Sequence, residues 1–163
     1  MQYVSTRNLS QKFTFKEVFL NGLAFDGGLY VPEVIPFYKS SELKKLKELS
    51  YNDLAVQIIL KFCSEQFTEE VLDKIVKKSY ENFRSEEVVV LKKYNNINLL
   101  ELFHGPTLAF KDIAMQIVGN MYENILEQEN KKINIVVATS GDTGSAAINA
   151  IGGRKNMNIF VLH

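Results

Sequence analysis

Two short segments of this 163-residue chain combine residue types that could do chemistry. The first runs Glu101-Leu102-Phe103-His104-Gly105-Pro106-Thr107-Leu108-Ala109-Phe110-Lys111-Asp112. It reads as the end of a strand, a Gly-Pro loop, and a lysine in the first turn of an apolar-faced helix. A helix N-terminus carries partial positive charge and disfavours an ammonium by about 0.3–1 kcal/mol. The same field, joined by burial, lowers the pKa of an amine, and a neutral amine is what Schiff-base chemistry requires. The alternative is a solvated Lys111 whose charge Asp112 offsets. His104 has two readings as well, a general base or a loop hydrogen-bonder.

The second segment is Val137-Ala138-Thr139-Ser140-Gly141-Asp142-Thr143-Gly144-Ser145-Ala146-Ala147. Strand, small loop and helix start make an anion-binding arrangement, with free backbone amides and a favourable dipole. Gly141 and Gly144 permit close approach, and Thr139, Ser140 and Thr143 add hydroxyl donors, so a carboxylate or phosphate ligand fits. The alternative is that Ser140 or Asp142 merely caps the helix. Asp142-Thr143-Gly144-Ser145 matches the short aspartic-protease signature, but the flanking residues are wrong: a hydroxyl-glycine loop precedes it and a helix follows. The loop lacks the Gly-Lys-Ser/Thr ending of a P-loop. It also lacks the first glycine spacing of a dinucleotide fingerprint.

These segments must be held by elements that the pattern predicts. Thr14 to Glu17 has capping-box spacing, and Gly22 should end that helix. Asp26-Gly27-Gly28 reads as a turn and Leu29 to Pro32 as a short extended piece. Three more helices follow. One carries Leu43, Leu46 and Leu49, one starts at Ser50 and buries Leu54, Ile58, Ile59 and Phe62, and one is capped by Thr68 with a Val71, Leu72, Ile75, Val76, Phe83 stripe. Strands are expected at 88–91 and 98–102 around Asn95-Asn96. A helix from Phe110 to about Glu129, a strand at 133–138, a helix from about Thr143 to Ala150 and a strand from near Asn158 complete the order. This βαβαβ alternation predicts a parallel sheet, whose sites form where strand C-termini meet helix N-termini. The domains so expected are 1–85, mostly helical with a short hairpin, and 86–163, the start of an α/β domain.

Composition narrows the classes of function. The chain is 46% hydrophobic and 23% charged, which argues against disorder. Nineteen basic and 19 acidic residues give zero formal net charge, against a general nucleic-acid or anionic-membrane binder. No apolar run approaches a membrane span, and the N-terminus has no signal-peptide pattern, so a cytoplasmic location is expected. The single cysteine, Cys63, excludes an intrachain disulfide and a Cys-rich zinc site; it is expected buried and inert. No metal is expected. His163 is read as a boundary or tag remnant.

Three motifs in order make the chain resemble the threonine synthases, pyridoxal-phosphate (PLP) enzymes of the tryptophan-synthase-β-like fold, fold type II. Phe25-Asp26-Gly27-Gly28-Leu29-Tyr30-Val31-Pro32 is similar to that family's N-terminal signature, 101–112 to its cofactor-lysine segment, and Thr139-Ser140-Gly141-Asp142-Thr143-Gly144 to its Thr-Ser-Gly-Asp-Thr-Gly loop. The resemblance implies an α/β fold: the parallel-sheet βαβ portion of a fold type II domain after a mostly helical region. It implies that Lys111 holds the cofactor and shuttles protons, that Phe110 packs near its ring, and that Asp142 approaches the ring hydroxyl. Thr139, Ser140, Gly141 and Thr143 would receive the substrate α-carboxylate. Relatives of this fold often carry Asn where Asp142 stands. The implied reaction converts O-phospho-L-homoserine and water to L-threonine and phosphate.

Family members are much longer. The resemblance puts the glycine-rich loop for the cofactor phosphate, and the residue facing the pyridine nitrogen, in the later part of the fold. On this reading the chain is an N-terminal portion, inactive alone, with the missing C-terminal part as a partner. The competing reading is a non-catalytic module that binds a partner or that missing half.

Overall fold

The computed structural model describes residues 1–139 and 141–162, so the readings placed on Ser140 and His163 lie outside the described residues. The chain divides into two compact units, Met1–Lys74 and Ile75–His163.

In the first unit, strands β1 (Tyr3–Ser5), β2 (Asn8–Phe13) and β3 (Tyr30–Pro32) form an antiparallel sheet in the order β2-β1-β3. The extended piece at Leu29 to Pro32 thus becomes the third strand, paired Tyr3 with Pro32 and Ser5 with Tyr30. Helix α1 (Phe15–Asn21) has the expected ends. Thr14 and Glu17 make the reciprocal capping box, and Gly22 closes the helix at φ +73°, a conformation that glycine tolerates without a Cβ clash. The Asp26-Gly27-Gly28 turn is knotted to β1: the Asp26 carboxylate accepts the Ser5 hydroxyl and the Gly28 N–H, each at 2.8 Å. A Cβ at Gly28 would collide with the Ser5 hydroxyl oxygen, so this turn needs glycine there.

Helices α2 (Ser40–Leu46) and α3 (Tyr51–Cys63) follow, and Ser50 caps α3 as its spacing predicts. The buried face of α3 differs from the expected one. Val56 and Cys63 are buried, whereas Ile58 is exposed and Leu54, Ile59 and Phe62 are half-buried. Around this helix Tyr3 donates its hydroxyl to the Phe62 carbonyl, and Phe15 meets Phe67 edge-on at 5.9 Å. Cys63 is fully buried, and burial pushes its thiol up to about 12. Helix α4 (Glu69–Tyr80) runs across the division between the units, with Leu72, Ile75, Val76, Ser79 and Tyr80 buried along one stripe.

In the second unit, β4 (Val90–Tyr94) and β5 (Ile97–Glu101) form an antiparallel hairpin around Asn95-Asn96, with Asn95 at φ +49°. Helix α5 (Asp112–Glu129), strand β6 (Ile133–Ala138), helix α6 (Asp142–Ile151) and strand β7 (Met157–Leu162) complete it. β6 and β7 pair in parallel, Ile133 with Met157 through Ala138 with Leu162.

Here the structure corrects the expected βαβαβ sheet. β5 pairs only with β4 among the described residues, so the parallel ladder consists of β6 and β7 alone. A two-residue turn closes the β4–β5 pair, so this pairing is local and carries little loop-closure cost. The ladder buries one face against α6. Its other face exposes Val136, Phe160 and Leu162.

Helices α5 and α6 touch closely. A Cβ at Gly119 would lie 2.5 Å from the Ala150 carbonyl oxygen. Arg154, just past α6, donates to the Asn120 side chain at 2.8 Å and to the Glu123 carboxylate at 2.6 Å, while its Nε reaches the Ala150 carbonyl. Asn120 is itself buried and donates to the Ser79 hydroxyl. Among the described residues no helix is long and apolar enough to cross a membrane.

Candidate active site

The contacts between α5 and α6 advance together along both helices. Gln116 meets Asn149 at 2.7 Å, Gly119 meets Ala150, and Asn120 and Glu123 meet Arg154. Both helices therefore run in the same sense, and both N-termini project to the same end of the pair. Lys111 stands at the start of α5 and the 139–144 loop at the start of α6.

The lysine segment begins as a tight turn rather than as α-helix. Asp112 and Ile113 donate to Ala109 and Phe110, three residues back, and Lys111 is the N-cap in helical conformation with no side-chain cap. The regular helix thus starts two residues later than its apolar pattern suggests. Lys111 is half-buried, and its Nζ sits over the Phe110 ring, 4.3 Å from the centroid. Phe110 and Lys111 are thereby brought together, with the Phe110 ring exposed.

Asp112 does not serve as a surface counter-charge to Lys111. It is fully buried, and its carboxylate accepts the Thr107 N–H at 2.8 Å and the Thr107 hydroxyl at 2.7 Å. A Cβ at Gly105 would lie 2.5 Å from the Asp112 side chain, so glycine is required where the loop crosses it. Between these anchors Leu108 is held at φ +65°, a left-handed conformation costly for a branched side chain. Sequence reasoning missed this clamp. Its one visible signal is a Gly-Pro-Thr turn with an aspartate five residues beyond the threonine.

His104 takes the loop-bonding role. Its Nε2 lies 3.0 Å from Glu101, its carbonyl accepts the Arg84 N–H, and Glu101 also holds Lys92 at 2.7 Å. The Lys92 and His104 contacts, working against burial, hold the Glu101 carboxyl below the usual range.

In the second loop, Gly141 is the N-cap of α6 at φ +82°, with no side-chain cap and open space where a Cβ would stand. Asp142 is the first helical residue, so it does not cap the helix. Asp142 is exposed and Thr143 half-buried. The first amides of any helix lack intrahelical acceptors, and the N-cap glycine has no side chain to supply one. Thr139 donates its N–H to the Leu162 carbonyl, which anchors the loop to the end of the parallel ladder. Gly144 packs on Thr139, with 3.3 Å from its Cβ position to the threonine methyl.

The model of the threonine synthase N terminus matches residues 2–80. The chain is 42% identical to the threonine synthase of Schizosaccharomyces pombe and 41% identical to that of Pseudomonas aeruginosa, over 99% and 100% of its length. The solved structure of PLP-bound threonine synthase from Brucella melitensis superposes with a TM-score of 0.93 at 42% identity, over 99% of this chain and 35% of that one. Over nearly its whole length the chain is similar to the N-terminal portion of threonine synthases. It spans about a third of the length of the relatives it matches, 34% of the Schizosaccharomyces pombe enzyme and 35% of the Pseudomonas aeruginosa enzyme. The yeast threonine synthase structure agrees as well, with a TM-score of 0.92. The match runs through both candidate segments, since it covers nearly the whole chain.

Proposed function

We propose that this chain supplies the cofactor lysine and the substrate-carboxylate loop of a threonine synthase, a PLP-dependent lyase that converts O-phospho-L-homoserine and water to L-threonine and phosphate. One observation carries the reading. α5 and α6 run in the same sense, so Lys111 and the amides at the start of α6 stand at one end of the helix pair. An amine and an anion-binding helix end on one side suit an α-amino acid whose carboxylate and α-carbon must be held together.

The residues fit the cofactor. Lys111 would hold it through Nζ, Phe110 would lie against its ring, and Asp142 would approach its ring hydroxyl. When bound, PLP supplies an electron sink for carbanions at the substrate Cα and Cβ. The α6 amides and the hydroxyls of Thr139, Ser140 and Thr143 bind the α-carboxylate and fix the substrate's orientation, with Gly141 leaving room for close approach. Lys111 Nζ would take the proton from the substrate Cα. Over the whole reaction Cγ loses phosphate and gains a proton, and Cβ loses a proton and gains the hydroxyl of water. On this reading the enzyme is cytoplasmic, residues 1–163 alone do not turn over substrate, and the C-terminal two-thirds of a threonine synthase completes the site.

The test is phosphate release from O-phospho-L-homoserine by the chain joined to, or mixed with, a threonine synthase C-terminal portion. Activity is expected only in combination and is expected to vanish in Lys111→Ala. A Lys111→Ala protein that retains the wild-type rate overturns the reading.

A further inference from the structure

The structure assigns Asp112 as the positioning residue for Lys111: its buried carboxylate grips Thr107, and that grip sets where the lysine amine stands. This inference rests on the reading of Lys111 as the cofactor amine. Three observations support it. Both carboxylate oxygens of Asp112 are spent on one residue, Thr107, through the backbone N–H and the hydroxyl. The side chain is fully buried, where an unsatisfied carboxylate is costly, so the grip is firmly held. Finally, the four residues between Thr107 and Asp112 include Leu108 at φ +65° and end on Phe110 and Lys111, whose amine and ring are in contact. A left-handed leucine persists only where its surroundings over-determine it. The Asp112 grip at one end, and Gly105 pressed against the Asp112 side chain, provide that determination.

A surface aspartate beside a lysine acts through charge. Asp112 instead acts through the shape of the loop. Removing its carboxylate frees Thr107, lets Leu108 relax to negative φ, and swings Phe110 and Lys111 away from their present direction. The consequence reaches chemistry because a reacting amine must be placed to within a fraction of an ångström.

The experiment measures the reactivity of Lys111 itself, with Lys92 and Lys93 as controls in the same molecule. Trace acylation with acetic anhydride across a pH series, quantified by peptide mass spectrometry, gives the relative nucleophilicity of each lysine. PLP with borohydride then gives the relative labelling of each. Four proteins are compared, each joined to a threonine synthase C-terminal portion: wild type, Asp112→Ala, Thr107→Val and Asp112→Asn. Thr107→Val removes only the hydroxyl contact and keeps the buried volume, so it remains informative if Asp112→Ala unfolds. Asn at 112 can still accept the Thr107 N–H through Oδ1 and donate to the hydroxyl oxygen through Nδ2, so it is the rescuing variant.

Expected is a fall of about tenfold or more in PLP labelling of Lys111 relative to Lys92 in Asp112→Ala and Thr107→Val. The acylation profile of Lys111 should move while those of Lys92 and Lys93 stay, and Asp112→Asn should lie near wild type. A merely structural role would leave the ratio among lysines unchanged in the folded protein. Unaltered Lys111 profiles in folded Asp112→Ala and Thr107→Val overturn the inference. Wild-type PLP labelling no greater at Lys111 than at Lys92 instead sinks the cofactor reading, and the acylation profiles then decide the positioning role on their own.

Discussion

Gly119 of α5 and Ala150 of α6 meet backbone to side-chain position, with room for a hydrogen at Gly119 and for nothing larger. A Cβ there would stand 2.5 Å from the Ala150 carbonyl oxygen and 3.3 Å from the Arg154 guanidinium. The two helices that carry the candidate site are registered at this point.

Gly119→Ala should therefore destabilise the second unit despite the better helix propensity of alanine. Overpacking costs about 1–3 kcal/mol against less than about 1 kcal/mol gained from propensity. Urea denaturation followed by circular dichroism would read the difference, and a stabilised variant would contradict the contact.

Arg154 joins Asn120, Glu123 and the Ala150 carbonyl with one guanidinium. Arg154→Ala should cost about 1.5–3 kcal/mol, the range for hydrogen bonds to charged groups. Arg154→Lys should recover only part of it, because an ammonium lacks the planar fork. Midpoints of denaturation for the two variants test the order.

Three carboxyls should impose acid sensitivity. The Ser5 hydroxyl and Gly28 N–H hold Asp26 below its ordinary range, and Lys92 does the same for Glu101. Burial raises Glu123, but Lys78 and Arg154 outweigh it and leave that carboxyl lowered too. A lowered folded pKa means stability present above the unfolded value and lost as pH falls through the folded one. The thermal midpoint should thus be flat near neutrality and fall below about pH 4. Asp26→Asn should lower the neutral midpoint and flatten the acid limb; an unchanged pH profile in that variant would discount the Ser5–Asp26 knot.

Cys63 should resist alkylation by iodoacetamide in the native chain, since it is fully buried and its thiol is raised from 9.0 to about 12. Labelling should rise with urea in parallel with unfolding. The sign for stability follows: a raised thiol pKa contributes fully below the unfolded value and is lost as pH climbs through the folded one. Fast labelling in the absence of denaturant would contradict its burial.

Local chemistry was readable from sequence, and distant pairing was not. Thr14, Ser50 and Thr68 each cap the helix they precede, because a cap involves residues three apart. Strand 133–138 stands where its β-branched run lies. On α3 burial falls on Val56 and Cys63 and not on the expected face; a helix's own periodicity does not encode which neighbours cover it. β5 was expected in the parallel sheet because alternation of elements says nothing of which strands pair. In the candidate site, residue type and spacing place Lys111 and Gly141 at helix starts, and that is where they stand. The inward turn of Asp112 was not legible, since charge next to charge in sequence suggests a surface pair.

Leu108 adds a consequence of a different kind. A chain selected for ease of folding alone would place glycine or asparagine at φ +65°, where leucine pays for its branched side chain. Leu108→Gly should relieve that local cost and at the same time enlarge the set of shapes open to the loop before Lys111. The leucine limits the loop's conformational freedom as well as straining it, so the residue least comfortable in its backbone is also the one that narrows the directions in which the following lysine can leave.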